Sequence, residues 1–210
     1  NKDVNPLNIL NQDVSRVGAL ELKFYNKQFD NDYQLKLKNH FIEKKPVVFL
    51  MGLDEIDLSI LKDTFVIYMG HNGDKSAAVA NVVLPTPAYT EKSSTYMNIE
   101  GRVFQTNKCH NPLGEAKEEW KVFRALSEVM KNKLNFNNLS ELRKEIIANY
   151  NQLGLLNEIN PIKKISFGKP HKIKDKKINY NIKNFYMNDS ISRSSETMAL
   201  CTKDILTKVA

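Results

Sequence analysis

Cysteine is scarce in this chain of 210 residues: only Cys109 and Cys201 occur. Secreted domains held by bridges carry several pairs, so two distant thiols fit a reducing compartment, and sequence alone pairs nothing. Two thiolates also fall short of the four that a cubane or binuclear iron–sulfur cluster normally needs. No run approaches the roughly 20 apolar residues of a bilayer span, so any membrane association is expected to come through partners. Arginine is sparse as well. Arg16, Arg102, Arg124, Arg143 and Arg193 stand among 31 basic residues. Nucleic-acid readers favour the planar Arg fork, so the net charge of +7 speaks only weakly for such a partner. No G-x-G-x-x-G follows the first apolar run, which argues against a dinucleotide site. G-x-S-x-G is missing too, and with it the nucleophile elbow. The amino end shows no secretory apolar region. It begins at Asn1, as expected of a processed piece, a fragment or a split gene product.

What is present centres on residues 64–106. Two short, nearly all-apolar runs, Phe65–Met69 and Val82–Leu84, flank Gly70-His71-Asn72-Gly73-Asp74 and the small-residue segment Ser76–Ala80. Apolar runs this short, edged by turn residues, read as strands buried on both faces of a parallel sheet. Pro85 ends the second, having no N–H for a ladder. Ser93–Asn98 and Arg102–Thr106 then read as a hairpin, with Gly101 supplying the positive φ of the reversal. Upstream, Val47–Met51 is another apolar run and Ile56–Leu61 a short helix. This βαβ succession predicts an α/β fold: a mainly parallel Rossmann-like sheet flanked by helices, with a β-hairpin and a carboxy-terminal helix.

The flanking segments read as helices. Leu7, Leu10, Val14, Val17 and Leu20 share one helical face, predicting a helix over Pro6–Leu20, and a shorter one is expected around Asp32–Ile42. Glu115–Met130 carries acids at its start and a stripe of Trp120, Phe123, Leu126 and Met130, so Trp120 is expected in the core. Ser140 is expected to cap the next helix through Asn149, with Leu142, Ile146 and Ile147 on one face. From Pro161 to Lys183 lysines stand against the single acid Asp175. This is a loop or linker, solvated or docking on an acidic partner or anionic headgroups. The last helix is expected to begin after Asp189 or Ser190, with Met198, Cys201, Ile205 and Val209 inward. The domain plan is therefore 1–150, an α/β domain; 151–184, a Lys-rich linker; and 185–210, a carboxy-terminal helix packing back on the domain or on a neighbour.

Candidate chemistry is thin. His71 lies at the carboxyl end of a parallel strand, where α/β folds place ligands, and Asp74 could orient it, although a turn histidine needs no such role. Cys109-His110 has no second pair at zinc-ligand spacing. Ser93, Ser94 and Thr95 beside Glu91 read as turn and edge-strand residues, and nothing brings Glu91 and Glu100 together as an acid/base pair. No catalytic, cofactor-binding or metal residue is assigned.

The motifs nevertheless resemble a family. Ala80–Pro85 (ANVVLP), Thr90–Asn98 (TEKSSTYMN) and Ile99–Thr106 (IEGRVFQT) are similar to the molybdopterin-oxidoreductase superfamily. Within it, Gly70–Ala77 (GHNGDKSA) and Pro87–Tyr96 (PAYTEKSSTY) resemble the large iron–sulfur subunits of respiratory complex I, and Asn8–Leu22, Glu119–Glu128 and Ile182–Ala199 continue the likeness in order. The resemblance implies a structural, non-redox portion of such a subunit, supporting electron transfer from NADH to ubiquinone coupled to proton translocation. It implies iron–sulfur clusters and FMN elsewhere in the complex, none on this chain. The partners implied are other peripheral-arm subunits and the cluster-binding amino-terminal part of the same subunit, with no nucleic acid and no direct membrane span. The location implied is the matrix side of the mitochondrial inner membrane, or the cytoplasmic side of a bacterial one. Asn81, Asn72 and Ser94 depart from the pattern of pterin-binding members, arguing against a working pterin site. The alternatives are a fragment of a molybdopterin-dependent oxidoreductase such as a formate-dehydrogenase-like enzyme, and a Lys-rich nucleic-acid-binding module.

Overall fold

The structure, a computed structural model, describes residues 16–24, 33–53, 56–158, 184–187 and 189–206. Helix α1 (Arg16–Glu21) is the described part of the helix expected over Pro6–Leu20; the earlier turns lie outside the described residues. Helix α2 (Tyr33–Lys44) follows, ending at Lys45, whose φ of 45° is the left-handed conformation that commonly terminates a helix. Pro46 then leads into β1 (Val47–Met51). A 3₁₀ turn over Leu58–Leu61, capped by Asp57, replaces the short helix expected at Ile56–Leu61. Strand β2 (Phe65–Gly70), helix α3 (Lys75–Val79) and strand β3 (Val82–Pro85) complete the predicted βαβ succession. The three strands are parallel in the order β1-β2-β3, with Leu50 opposite Tyr68 and Tyr68 opposite Val83.

Leu50, Leu61, Val66 and Tyr68 form the core of this unit, with Phe41 and Ala77 packed against it. Asn81 sets the register at the base of β2. Its side-chain oxygen accepts from Val66 N at 2.7 Å, and its own N–H donates to Val66 O at 2.9 Å. The expectation of burial on both faces holds for β2 only in part, since Val66, Tyr68 and Met69 are at most 2% exposed but Phe65 is 46% exposed, and fails for β3, where Val82 is 37% and Val83 50% exposed. β3 is an outer strand, and no further strand pairs with it among the described residues.

The hairpin consists of β4 (Thr95–Met97) and β5 (Val103–Gln105), antiparallel, with Tyr96 opposite Phe104. Gly101 has φ +83° as expected. The strands are shorter than predicted because side chains take over at both ends. Asn98 Oδ1 accepts from Glu100 N and Arg102 N, and Thr106 Oγ1 accepts from Ser94 N. Val103 and Met97 make a second core with Leu153, joined by Val17, Ile146 and Tyr150.

Helix α4 spans Glu119–Val129, not Glu115–Met130. The backbone before it is committed elsewhere: Ala116 N donates to Leu113 O and Lys117 N to Pro85 O. Trp120 is half-buried rather than in the core. Its indole N–H donates to Glu118 Oε2 at 3.0 Å, which favours an edge position, and its ring meets Phe136 at 6.3 Å. Phe123 joins α4 to β1 through Phe49, with centroids 5.5 Å apart. Helix α5 (Leu139–Asn149) is capped by Asn138, whose side chain accepts from Glu141 N; the expected cap, Ser140, is already inside the helix.

At the carboxyl end a helix begins after Asp189 as expected, with Asp189 as its cap, but the single predicted helix is divided. α6 (Ser190–Arg193) stops, and Ser195 caps α7 (Glu196–Cys201) afresh by accepting from Met198 N, after which the chain passes into a π turn over Thr202–Leu206. Local serine caps compete with helix continuation here. Met198 and Cys201 are half-buried, whereas Ile205 is 48% exposed and not inward. Val209 and the lysine-rich 161–183 lie outside the described residues.

Candidate functional site

The carboxyl ends of β1, β2 and β3 are where a parallel sheet offers ligands a crevice. Three loops meet there. Gly52, with φ +61°, turns the chain after β1, and its N–H donates to Met69 O at 2.7 Å. After β2, Gly70 is followed by the His71–Asp74 turn, and after β3, Thr86 N donates to Gly70 O. Asp74 and Ser76, with Tyr68 on β2, are engaged in building the loops themselves. Asp74 Oδ1 accepts from Ser76 N and Ala77 N, capping α3, and Asp74 Oδ2 accepts from the Tyr68 hydroxyl. Tyr68 Oη also lies 3.0 Å from Asn72 O. Ser76, fully buried, donates to Leu53 O at 2.6 Å. Asp74 therefore serves α3 and Tyr68, while the His71 side chain is exposed.

The second group of candidates is also structural. Glu91 is buried, with Oε2 accepting from Ala88 N at 2.9 Å. Glu100 is exposed in the hairpin turn, so the two carboxylates serve different turns. Ser93 Oγ accepts from Lys108 N, and Ser94 N donates to Thr106 Oγ1. His110 Nδ1 is 3.0 Å from Asn111 O and 3.8 Å from Glu91 Oε1. Cys109 is exposed and Cys201 half-buried. Among the described residues no group of three or more His, Cys, Asp or Glu could hold a metal ion.

Three carboxylates are displaced from their ordinary values. Burial pushes Glu118 up, but hydrogen bonds from Lys121 and Trp120 outweigh it and the net shift is downward. Glu128 is lowered by its hydrogen bond from Arg124. Asp189 is lowered chiefly by the Ser192 backbone N–H at the start of α6.

Sequence inspection missed one feature. Arg143 stands on α5 one turn before Ile146 and Ile147, and lines with them a pocket of about 100 Å³ between α1, the hairpin and α5. Its Nε and Nη2 atoms are buried without a hydrogen-bond partner among the described residues. The signal was present in the spacing: residues three and four apart share a helix face, so Arg143 lies on the apolar stripe assigned to Ile146 and Ile147.

Known proteins place these observations. A family profile described as molybdopterin oxidoreductase matches residues 1–129. A second, described as the C-terminal region of the G-type subunit of NADH-ubiquinone oxidoreductase, matches residues 160–201. The chain is 39% identical over 206 residues to the NADH-ubiquinone oxidoreductase 75 kDa subunit of Reclinomonas americana, covering 94% of this chain and 28% of that protein. It is 39% identical to the mitochondrial 78 kDa subunit of Candida albicans over 98% of this chain and 28% of the relative. The corresponding G-type subunit of the NADH-quinone oxidoreductase of Rickettsia conorii is 35% identical over 96% of this chain and, again, 28% of the relative. The chain thus spans 28% of the length of these relatives. Among solved structures, acetylene hydratase from Pelobacter acetylenicus is similar at a TM-score of 0.45, with 20% identity over 57% of this chain and 18% of that one.

Proposed function

Because the chain belongs to the molybdopterin oxidoreductase family, we propose that it is a carboxy-terminal segment of the large subunit of an NADH:ubiquinone oxidoreductase and acts there as structure, not as a redox centre. The observation that carries this is the pairing of the two profiles in order, 1–129 and then 160–201. The second separates this chain from family members that process other substrates. Relatives named as subunits of that oxidoreductase align over 94–98% of the chain, which supports the same assignment.

The chemistry of the described residues is consistent with a brace. Polar side chains at the carboxyl end of the sheet cap α3 and anchor Tyr68, leaving no assembled nucleophile and base there. Two cysteines fall short of a cluster's ligand set, so the iron–sulfur clusters belong to other parts of the complex, and FMN is assigned elsewhere with them. The chain's role is to support the arm that carries electrons from NADH towards ubiquinone, and its partners are the neighbouring peripheral-arm subunits and the cluster-binding part of the same subunit. No described helix is long and apolar enough to cross a membrane. The segment sits on the matrix side of the mitochondrial inner membrane, or on the cytoplasmic side in a bacterium, held through its partners. Proton translocation is the work of the whole complex.

A native gel of solubilised membranes, probed for the tagged chain and stained for NADH dehydrogenase activity, tests the proposal. The chain should migrate with the activity band. Migration elsewhere, or stoichiometric molybdenum or tungsten in the purified assembly, would favour a molybdopterin-dependent enzyme instead.

A further inference from the structure

Capping and strand chemistry leave Arg143 unexplained. It lines a pocket of about 100 Å³ together with Leu22, Met97, Ile146, Ile147 and Leu153, a wall made mostly of carbon. Its Nε and Nη2, which lie on one edge of the guanidinium plane, touch no solvent and have no hydrogen-bond partner among the described residues. Buried polar groups in folded proteins are nearly always bonded, and each exception calls for an explanation. A lysine could shed its proton in such a place, but arginine keeps its charge. Two parallel N–H groups on one edge match the two oxygens of a carboxylate. The pocket is far smaller than the roughly 300–1,000 Å³ of cofactor and small-molecule sites. It accepts one aliphatic side chain.

We propose that Arg143 and its pocket form a socket for an acidic stretch of neighbouring polypeptide: an Asp or Glu carboxylate pairs with Nε and Nη2, and an adjacent apolar side chain fills the pocket. Such a neighbour is expected because the chain spans only 28% of the length of its relatives, in which the rest of the subunit supplies further polypeptide. In this respect the socket rests on the subunit assignment above. The way in lies past α1, which buries no residue of its own and leaves Leu20 and Leu22 about two-fifths exposed.

The test uses the 210-residue chain with Arg143→Met and Arg143→Lys, and two readouts: the melting temperature of the isolated chain, and retention of the tagged chain in the NADH-dehydrogenase-active assembly. Arg143→Met should melt no lower than wild type, because it removes an orphaned buried charge, yet its retention should fall about tenfold or more, as truncating one member of a buried charge pair does. Arg143→Lys keeps the charge without the fork and should also be poorly retained. Full retention of Arg143→Met beside a retained wild type overturns the socket alone. A clear loss of melting temperature in the isolated Arg143→Met chain overturns it too, since Arg143 would then be satisfied internally. Sodium acetate that raises the melting temperature of wild type but not of Arg143→Met overturns it in favour of a small-anion site. A wild-type chain that never enters the assembly defeats the subunit assignment and the socket together.

Discussion

Gly70→Ala should be the most damaging single-methyl change at the carboxyl end of the sheet, for a reason of space. A Cβ built on Gly70 lies 2.1 Å from the Tyr68 hydroxyl oxygen, 2.4 Å from Cζ and 2.7 Å from Cε1. The collision is with the ring as well as its tip. Tyr68 is 2% exposed and packed among Leu50, Leu61 and Val66, so the ring has nowhere to retreat. Moving it also strips its hydroxyl from Asp74, the residue that caps α3. Overpacking a core costs about 1–3 kcal/mol, and a hydrogen bond to a charged group contributes about 1.5–3 kcal/mol. Allowing for partial relaxation, the loss should be about 3 kcal/mol, or a fall in Tm of about 6–12 °C for a chain of this size. Thermal and urea unfolding followed by circular dichroism measure it. Tyr68→Phe removes the nearest of the three contacts, so the double variant should cost less than the sum of the single ones. An unchanged Tm for Gly70→Ala, or strict additivity with Tyr68→Phe, would refute the steric account.

Three further outcomes are expected. Gly101 sits at φ +83° in open space, so Gly101→Val should cost roughly 1 kcal/mol or more through backbone strain alone; unchanged thermal stability would mean that the turn tolerates a β-branched residue. Asp189 is depressed chiefly by the Ser192 N–H. A lowered carboxylate stabilises above its unfolded pKa, here 3.8, and loses that contribution as pH falls through the lower folded value. Acid titration of α6 by hydrogen exchange or NMR should therefore show a loss below about pH 3.8 that Asp189→Asn, still a good cap, removes. The isolated chain should be colourless and EPR-silent, because two thiols do not complete a cluster; stoichiometric iron and acid-labile sulfide on this chain would contradict that.

Strand identity was legible from the sequence, and strand burial was not. Phe65–Met69 and Val82–Leu84 have the same apolar composition, yet the first is a central strand and the second is half exposed. Composition reports what a strand can bury, whereas burial depends on how many neighbours the sheet supplies. Gly101 and Asp189 were readable because a positive φ and a helix cap are local requirements, met within a few residues. The helix starts were less so. α4 begins late because Lys117 N is drawn to Pro85 O, a contact across the fold that no local propensity records. The divided carboxy-terminal helix shows the converse: Ser195 was in plain view as a cap, but a strong apolar period from Met198 to Ile205 suggested continuity.

The candidate site shows the same division more sharply. His71 and Asp74 were singled out because their loop stands where parallel sheets bind ligands, and the loop is there as expected. What sequence could not supply was the side-chain accounting. Asp74 has two oxygens, one taken by Ser76 N and Ala77 N and the other by the Tyr68 hydroxyl. A carboxylate so occupied orients a helix and a core tyrosine. Arg143 is the opposite case, a cation placed on an apolar stripe with one edge left unsatisfied. A loop whose polar groups are all spent internally serves the fold, while a buried group with unspent hydrogen-bonding capacity points to a surface completed by something else. On that criterion the α1–hairpin–α5 pocket is the surface proposed to meet a neighbour, and the loop at the sheet's carboxyl end holds the strands together.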